Sequence, residues 1–141
     1  MDPFLVLAFG TVFIVDQAAK ALIVRARPAG GAAPIAAIGP VRIVRVDNGR
    51  PALAMLRHTA VLVTAWAVMV GATVLLPPAL RAGGAAATGL GLALGGATSN
   101  LLDRLGRHAV IDFIDIRVWP VFNLGDAAIV AGVALTVWGW R

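Results

Sequence analysis

The chain has 141 residues, of which 60% are hydrophobic and 13% are charged, and its net charge is +5. A soluble domain is about one quarter charged and, at this length, has too little interior to bury so much apolar surface. The composition therefore excludes an ordinary soluble domain and predicts a membrane protein. The chain contains no cysteine, which excludes disulfides, thiolate metal sites and cysteine nucleophiles. Its two histidines are too few and too far apart to indicate a metal cluster.

The basic charge has two candidate partners, nucleic acid and anionic lipid. The arginines lie between apolar segments rather than in one basic run. Anionic headgroups attract basic residues that flank the apolar segments of a membrane protein. We therefore expect membrane lipid as the partner and no nucleic acid.

Four segments are long and apolar enough to form membrane-spanning helices, each of which needs about 20 residues. Residues 59–80 and 82–102 contain no charged side chain, and residues 3–24 and 118–140 contain few polar ones. The first segment lacks the basic start of a signal peptide, so we interpret it as a retained helix. We predict an all-α membrane protein with one integral membrane domain (residues 1–141) and helices over about residues 4–25, 58–78, 83–102 and 121–140.

Two of the three connections between these helices are long. Residues 41–46 alternate approximately as a strand does, and an Asn-Gly pair follows them, so we predict a small extramembrane β element over about residues 33–55. The second long connection covers about residues 104–120. Residues 77–84 begin with two prolines and end with two glycines, which predicts a tight turn between the middle helices. An even number of spans places both termini on one side and both long connections on the other.

Charged residues at membrane depth are costly and need a structural or functional reason. Asp16 and Lys20 lie four residues apart on one helical face, and a neutralising pair that ties the first helix to its neighbours is enough to explain both. Asn100, Asp103 and Arg104 share a face where the third helix ends. An Asp–Arg pair in this position indicates a scaffold that braces a site rather than a group that reacts.

Two further aspartates lie near the start of the fourth helix. Asn123 and Asp126 suit the cap and the first turn of that helix, which gives both a purely structural interpretation. This interpretation does not extend to Asp112, because it lies in an apolar run whose nearest cations are Arg107 and Arg117. From spacing alone, a structural role and a functional site that contains Asp112 remain equally open.

Four segments together resemble the lipoprotein signal peptidase (signal peptidase II) family. Each segment resembles one sequence block of that family, and the blocks occur in the family's order and cover almost the whole chain. One block alone is a weak signal, whereas four in order around four apolar segments are specific. The matches are residues 16–20 to D-Q-x-x-K, residues 95–104 to G-G-x-x-x-N-x-x-D-R, residues 110–113 to V-V-D-F and residues 120–126 to P-x-F-N-x-A-D.

The resemblance implies four transmembrane helices and an extracytoplasmic β-cradle after the first of them. It assigns the catalytic dyad to Asp112 and Asp126, with an active-site loop over about residues 104–120. It also assigns substrate holding to an N-x-G block, to which Asn48 is the nearest match. Neither a metal ion nor a cofactor is implied. The residues that it implies as supports of the site are Asp16, Lys20, Asn100, Asp103, Arg104 and Asn123.

The implied activity is that of an aspartic endopeptidase that removes signal peptides from diacylglyceryl-modified prolipoproteins, cutting before the lipidated cysteine. The expected location is the bacterial inner membrane, with the active site on the extracytoplasmic side and both termini in the cytoplasm. We expect a monomer whose partners are the lipidated substrate and membrane lipid, and we expect it to be sensitive to globomycin.

The chain departs from the family pattern in three places. Gly125 replaces the usual alanine, the residues after Asn48 fit the N-x-G block poorly, and the stretch from Asp112 to Asp126 is short. A different class of function, a non-catalytic divergent paralogue that binds lipidated partners, therefore stays open. A small transporter whose intramembrane acids relay protons is disfavoured, because the chain has no inverted repeat.

Charge counting predicts the opposite orientation in the membrane. Nine arginines lie in or beside the two long connections, whereas Arg81 and Arg141 lie on the other side. The positive-inside rule places the arginine-rich side in the cytoplasm. We adopt the orientation that the family implies, because its substrate is cut outside and the β element is folded rather than a free loop.

Overall fold

Four helices and a three-stranded sheet make up the part of the chain that the structure describes. This computed structural model describes residues 2–26, 34–49, 52–75 and 84–140. The tight turn predicted over residues 77–84 lies outside the described residues except for its last position. In chain order the elements are α1 (Pro3–Ala26), β1 (Ala36–Ile38), β2 (Val41–Gly49), α2 (Ala52–Leu75), α3 (Gly84–Arg107), β3 (Ala109–Asp115) and α4 (Leu124–Gly139).

Helix α3 is the central helix of the fold. It packs against α1 and α4 and also contacts α2. The helices approach closely at glycines: a Cβ added at Gly95 would lie 2.7 Å from the backbone oxygen of Phe9, and one at Gly132 would lie 2.5 Å from that of Gly89. Small residues favour such contacts where lipid surrounds the helices, because apolar tails give no hydrophobic drive for helices to associate.

Helix α3 also continues beyond the predicted end of the third span near residue 102. It ends at Arg107, and His108 follows in a left-handed backbone conformation with φ of 58°, as is common after a helix C-terminus. The additional turn contains Asp103 and Arg104, and both side chains are buried. The polarity of this segment predicts that the helix ends before it. The helix continues because other elements of the fold cover these polar groups.

The sheet has the order β1–β2–β3 with antiparallel pairs throughout. Strand β2 confirms the strand predicted from residues 41–46 and extends to Gly49. Strand β3 occupies part of the second long connection, where the sequence predicts a loop. Five of its seven residues are buried, so it lacks the polar–apolar alternation by which a half-buried strand is recognised. The prediction of a helical protein with a small β element is confirmed as a mostly helical fold with a small sheet, to which β3 adds a strand that was not predicted.

The outer faces of the helices carry many apolar side chains. Among the residues that the structure describes, α1 is the one helix long and apolar enough to cross a membrane, while Thr59–Leu75 and α4 are apolar but shorter. A hydrogen bond of 2.8 Å from Trp66 Nε1 to Thr98 Oγ1 attaches α2 to α3. The arrangement of four spans remains a prediction.

Replacing Gly132 with alanine should destabilise the contact between α3 and α4. The added Cβ would lie 2.5 Å from the backbone oxygen of Gly89 and 2.6 Å from the backbone nitrogen of Ala93. Overpacking of this kind costs about 1–3 kcal/mol, which thermal unfolding in detergent would report as a lower midpoint. Gly10→Ala is the matched control, since nothing lies within 4 Å of a Cβ there. Equal midpoints for the two variants would contradict the packing described.

Candidate active site

Strand β3 and helix α4 bring Asp112 and Asp126 to one place. Side chains alternate across a strand, so Ile111 and Phe113 face one side of β3 and Asp112 faces the other. Ile111 and Phe113 pack against Ile23 of α1. This apolar contact turns Asp112 toward the first turn of α4, which contains Asp126.

Asn123 connects the two aspartates. Its Nδ2 donates to Asp112 Oδ1 at 2.7 Å. Its Oδ1 accepts from the backbone N–H of Asp126 at 2.9 Å, and its own backbone N–H donates to Asp126 Oδ2 at 3.3 Å. These reciprocal bonds form the capping box of α4. The predicted cap is therefore confirmed, and capping does not exclude a second role, because the same asparagine also holds Asp112.

A bulge in β2 directs Asn48 at the site. The pairing of β2 with β3 shifts by one residue between Ile43 and Val46. After the shift Val46 lies opposite Asp112, and Asn48 lies on the same face, where its Nδ2 donates to Asp112 Oδ2 at 3.1 Å. A one-residue shift exchanges the two faces of a strand. Without the bulge Asp47 would take the place of Asn48 and bring a like charge to Asp112.

Asn100 of α3 holds the other carboxylate, since its Nδ2 donates to Asp126 Oδ1 at 2.8 Å. The chain contains three asparagines, and each of them donates a side-chain N–H to one of these two aspartates. An amide is a neutral donor. The asparagines therefore fix the positions of both carboxylates without placing a permanent positive charge against either.

The two aspartates of β3 differ in their proton affinity. Burial raises the pKa of the Asp112 carboxyl above its ordinary range; the hydrogen bond from Asn48 opposes this effect, and the negative charge of Asp126 adds to it. The pKa of Asp115 is lowered instead, mainly because the backbone N–H of Arg117 donates to its carboxylate. Of the two, Asp112 is the carboxyl that keeps its proton to higher pH.

A buried ion cluster adjoins Asn100. Lys20 Nζ lies 2.6 Å from Asp16 Oδ2 and 2.8 Å from Asp103 Oδ2, and these three side chains have no exposed surface. Asp16 and Lys20 thus form the pair that their spacing predicts. Asp103 Oδ2 accepts no directed hydrogen bond, so its contact with Lys20 is an ion contact, while its Oδ1 pairs with Arg107. Removing one partner of a buried pair costs about 3–5 kcal/mol, and the cluster therefore locks α1 to α3.

Asp16 also reaches the start of α4. Its Oδ1 accepts from the backbone N–H of Gly125 at 2.9 Å, and its Oδ2 accepts from Ser99 Oγ at 2.5 Å. Gln17 Nε2 donates to Ser99 Oγ at 2.9 Å and to Asp103 Oδ1 at 3.2 Å. Neither Gln17 nor Ser99 is among the predicted site residues, although Gln17 lies inside the first family block and Ser99 directly precedes the asparagine of the second.

Arg104 does not pair with Asp103, contrary to the sequence interpretation. Neighbouring positions on a helix point about 100° apart, whereas Arg107 is four residues beyond Asp103 on the same face and forms the pair. The Arg104 side chain is buried, and its Nε and Nη1 have no hydrogen-bond partner within the described segments.

Eight of the nine predicted site residues form one continuous set of polar contacts, and Arg104 is the exception. The set runs from Asn48 on the sheet through the two aspartates and Asn100 to the ion cluster at Lys20. Over the described residues, no group of three or more His or Asp side chains is arranged to hold a metal ion. Asn123 links the Asp112 and Asp126 residues within this set.

Known sequences match this chain along almost its whole length. The sequence profile of the family described as signal peptidase (SPase) II matches residues 8–140. The chain is 37% identical over 144 residues to the lipoprotein signal peptidase of Pelotomaculum thermopropionicum, covering 96% of this chain and 90% of the relative. The chain belongs to the signal peptidase II family. A lipoprotein signal peptidase of Moorella thermoacetica is also 37% identical, over 145 residues that cover 96% of this chain and 91% of the relative.

Solved structures agree with the fold of this family member. Two structures described as bacterial membrane enzymes, determined by the in meso method at 2.3 and 1.9 Å resolution, superpose on it with TM-scores of 0.76 and 0.75. They share 23% and 22% sequence identity, and the superpositions cover 94% of this chain and 84% and 89% of theirs. At this identity the likeness concerns the fold. The family membership, and not this likeness, identifies the chain as a protease.

Replacing Asn123 with serine should separate its two contacts. Serine caps a helix about as well as asparagine but is too short to donate to Asp112, so we expect an unchanged unfolding midpoint and slower proteolysis. Asn123→Ala loses the cap as well and should lower stability by about 1 kcal/mol. Thermal unfolding and prolipoprotein cleavage measured on both variants test this. A serine variant that cleaves at the parent rate would show that the bond to Asp112 is unnecessary.

Proposed function

We propose that this family member removes signal peptides from lipidated prolipoproteins as an aspartic endopeptidase, with Asp112 and Asp126 as its catalytic residues. One observation supports the pair above all: three asparagine side chains hold the two carboxylates, and Asn123 contacts both residues. The structure describes no other pair of aspartates linked by a shared asparagine. The family is a protease family, and its substrate class is taken from the names of the relatives.

The chemistry follows from two neighbouring carboxyl groups that cannot both ionise cheaply, so that the pair holds one proton. Asp126, which is half-buried, acts as the base and takes a proton from a bound water, whose oxygen attacks the scissile carbonyl carbon. Asp112, which is the more buried of the two, holds the shared proton, donates to the carbonyl oxygen and stabilises its developing charge. When the C–N bond breaks, the proton held by Asp126 passes to the leaving amine.

All four helices are proposed to cross the membrane in a monomer, with the two aspartates at the boundary of the lipid. Helix α1 is by itself long and apolar enough to cross a membrane. Helix α3 contacts each of the other three helices and so holds them together. Beside the site, Val118 and Trp119 of the loop after β3 are 87% and 68% exposed, as expected of side chains that meet lipid at the interface. Both the signal helix and the acyl chains of the substrate partition into the same lipid.

The active site is proposed to face the extracytoplasmic side, with both termini in the cytoplasm, although charge counting predicts the reverse. Several arginines of this side are engaged within the fold rather than free in loops. Arg42 pairs with Asp115 at 2.6 Å, and Arg45 pairs with Asp47 at 2.8 Å. The positive-inside rule is based on charges in short flexible loops. These arginines are instead held in a folded element.

Substrate holding is assigned to Asn48 and Arg104. Asn48 is exposed on the outer part of the site while it contacts Asp112. Arg104 lies one helical turn beyond Asn100, and a buried guanidinium with two unpaired nitrogens is costly unless an acceptor joins it. A carbonyl oxygen of the substrate is the acceptor that we assign to it.

The alternative of a non-catalytic relative that binds lipidated partners is disfavoured. The departures that favour it are the altered block after Asn48 and the short stretch before Asp126. Asn48 nevertheless donates to Asp112, so the altered block keeps its contact with the proposed dyad. A protein that only binds would also have no need for two adjacent carboxyl groups, which repel each other when both are charged.

Asp112→Asn and Asp126→Asn should each abolish cleavage of a diacylglyceryl-modified prolipoprotein by the purified protein. Asparagine keeps the size of aspartate but can neither take a proton from water nor donate one as an acid. Asp115→Asn is the matched control on the same strand, and we expect it to retain cleavage. Thermal unfolding of all three variants establishes that they fold. Full activity in either of the first two variants would refute the dyad.

Asn48→Ala should move the alkaline limb of the pH–rate profile to higher pH. The Asn48 hydrogen bond favours the ionised form of Asp112 and lowers its pKa, so its loss raises that pKa further. A group that must be protonated then stays active to higher pH. Rates of cleavage measured across the pH range on both proteins test the assignment of the proton to Asp112. An acidic limb that moves to higher pH while the alkaline limb stays in place would reverse the assignment.

A further inference from the structure

Lys20 occupies a place that neutralisation alone does not explain. Its ammonium lies 2.6 Å from Asp16 Oδ2, 2.8 Å from Asp103 Oδ2 and 2.8 Å from Asn100 Oδ1, and the side chain has no exposed surface. Asp16 alone neutralises Lys20, and Asp103 already has Arg107 as a partner. The contact with Asn100 is therefore additional to what the balance of charge requires.

The choice of lysine at this position is itself informative. The chain has 12 basic residues, of which Lys20 is the one lysine and the other eleven are arginines. A guanidinium is a planar fork, whereas an ammonium is a compact group that fits among three converging acceptors. The one lysine thus stands where three acceptor oxygens meet. Of its three contacts, the one to Asn100 is the contact with a neutral acceptor.

An ammonium donates and cannot accept, which determines how the Asn100 amide is turned. Its oxygen must face Lys20, because the opposite orientation would set an NH2 group against the ammonium. The NH2 group is thereby directed at Asp126, where Nδ2 lies 2.8 Å from Oδ1. An ionised Asp126 also favours the NH2 group, but a protonated Asp126 could meet either end of the amide, and Lys20 then fixes the orientation that keeps the donor there.

We infer that Lys20 is a positioning residue of the dyad: it fixes the amide orientation of Asn100 and so keeps a donor on Asp126. This inference rests on the proposed catalytic role of Asp126. Helix α1 then contributes to catalysis without touching the substrate, through one side chain on α3. The charged groups that face Lys20 are Asp16 of α1 and Asp103 of α3, and the dyad lies beyond Asn100.

A double-mutant cycle tests this role. Lys20→Met removes the donor to Asn100, and Asn100→Ala removes the amide, so each should lower kcat about 10- to 100-fold with little change in KM, the range expected for one hydrogen bond to a charged group. The double variant should be no slower than Asn100→Ala within about twofold. If Lys20→Met lowers kcat as much without Asn100 as with it, or if it leaves kcat unchanged, the inference is overturned.

Matched variants separate this role from a general loss of structure. Lys20→Gln and Lys20→Met remove the same charge, but glutamine retains an N–H donor, so Lys20→Gln should recover part of kcat. Where Lys20→Met alone does not fold, Asp16→Asn combined with Lys20→Met removes one charge of each sign and leaves Asp103 with Arg107. That pair of substitutions should lower kcat in the same way. Equal kcat for the glutamine and methionine variants, in either background, would contradict a donor role.

A spectroscopic readout tests the inference independently of cleavage. The chain has three asparagines, so selective 15N-asparagine labelling gives three side-chain amide pairs, of which Asn100→Ala identifies one. Lys20→Met should shift the Asn100 pair much more than the pairs of Asn48 and Asn123. Equal shifts at all three would indicate a general structural change and overturn the inference. If the parent protein does not cleave, the proposed function fails while this measurement still tests the contact between Lys20 and Asn100.

Discussion

The ammonium of Lys20 between two buried carboxylates is the interaction on which the rest of the structure depends. A charge in a water-poor interior is tolerated only with its partners in place. Lys20 and Asp16 lie on α1, Asp103 lies on α3, and Asp16 continues to the backbone N–H of Gly125 at the start of α4. The cluster therefore fixes the depth and rotation of three helices relative to one another. Asp126 follows Gly125 directly and takes its position from the same contacts.

The sheet supplies the other half of the site by a different physical means. Apolar contact of Ile111 and Phe113 with Ile23 sets which face of β3 is turned inward, and alternation then presents Asp112 to α4. The bulge in β2 exchanges the strand's faces, so that an amide rather than another carboxylate lies next to Asp112. A helix-based ion cluster and a strand-based apolar contact thus converge on two carboxyl groups, and Asn123 joins the two halves.

Much of this site could be predicted because its residues lie in blocks with the right order and spacing. Asp16 and Lys20 are neighbours on a helical face, and Asn123 with Asp126 has the spacing of a capping box, so local geometry alone determines those contacts. Strand β3 could not be predicted, because burial on both faces removes the alternation on which its recognition depends. The bulge depends on the pairing of two distant strands and leaves no mark in the sequence of either.

The incorrect pairing of Asp103 with Arg104 shows why adjacency misleads on a helix. The charged partners that the structure gives to Asp103 are Lys20 on another helix and Arg107 one turn away. The presence of Gly125 in place of the family's usual alanine also has a structural explanation. A Cβ there would lie 3.0 Å from Asn123 Oδ1 and 3.1 Å from the backbone oxygen of Gly96, so glycine gives α4 the closer approach to α3. Both findings depend on distances between helices. Such distances cannot be read from the spacing of residues along the chain.

An experimental structure of the parent protein in a lipid mesophase, refined with ordered water, would measure whether the two carboxyl groups form one site. We expect a single water molecule within hydrogen-bonding distance of both Asp112 and Asp126, and the Asn123 side chain bonded as described here. Carboxyl groups that face different surroundings, too far apart for any one water molecule to contact both, would contradict the proposal that they act together.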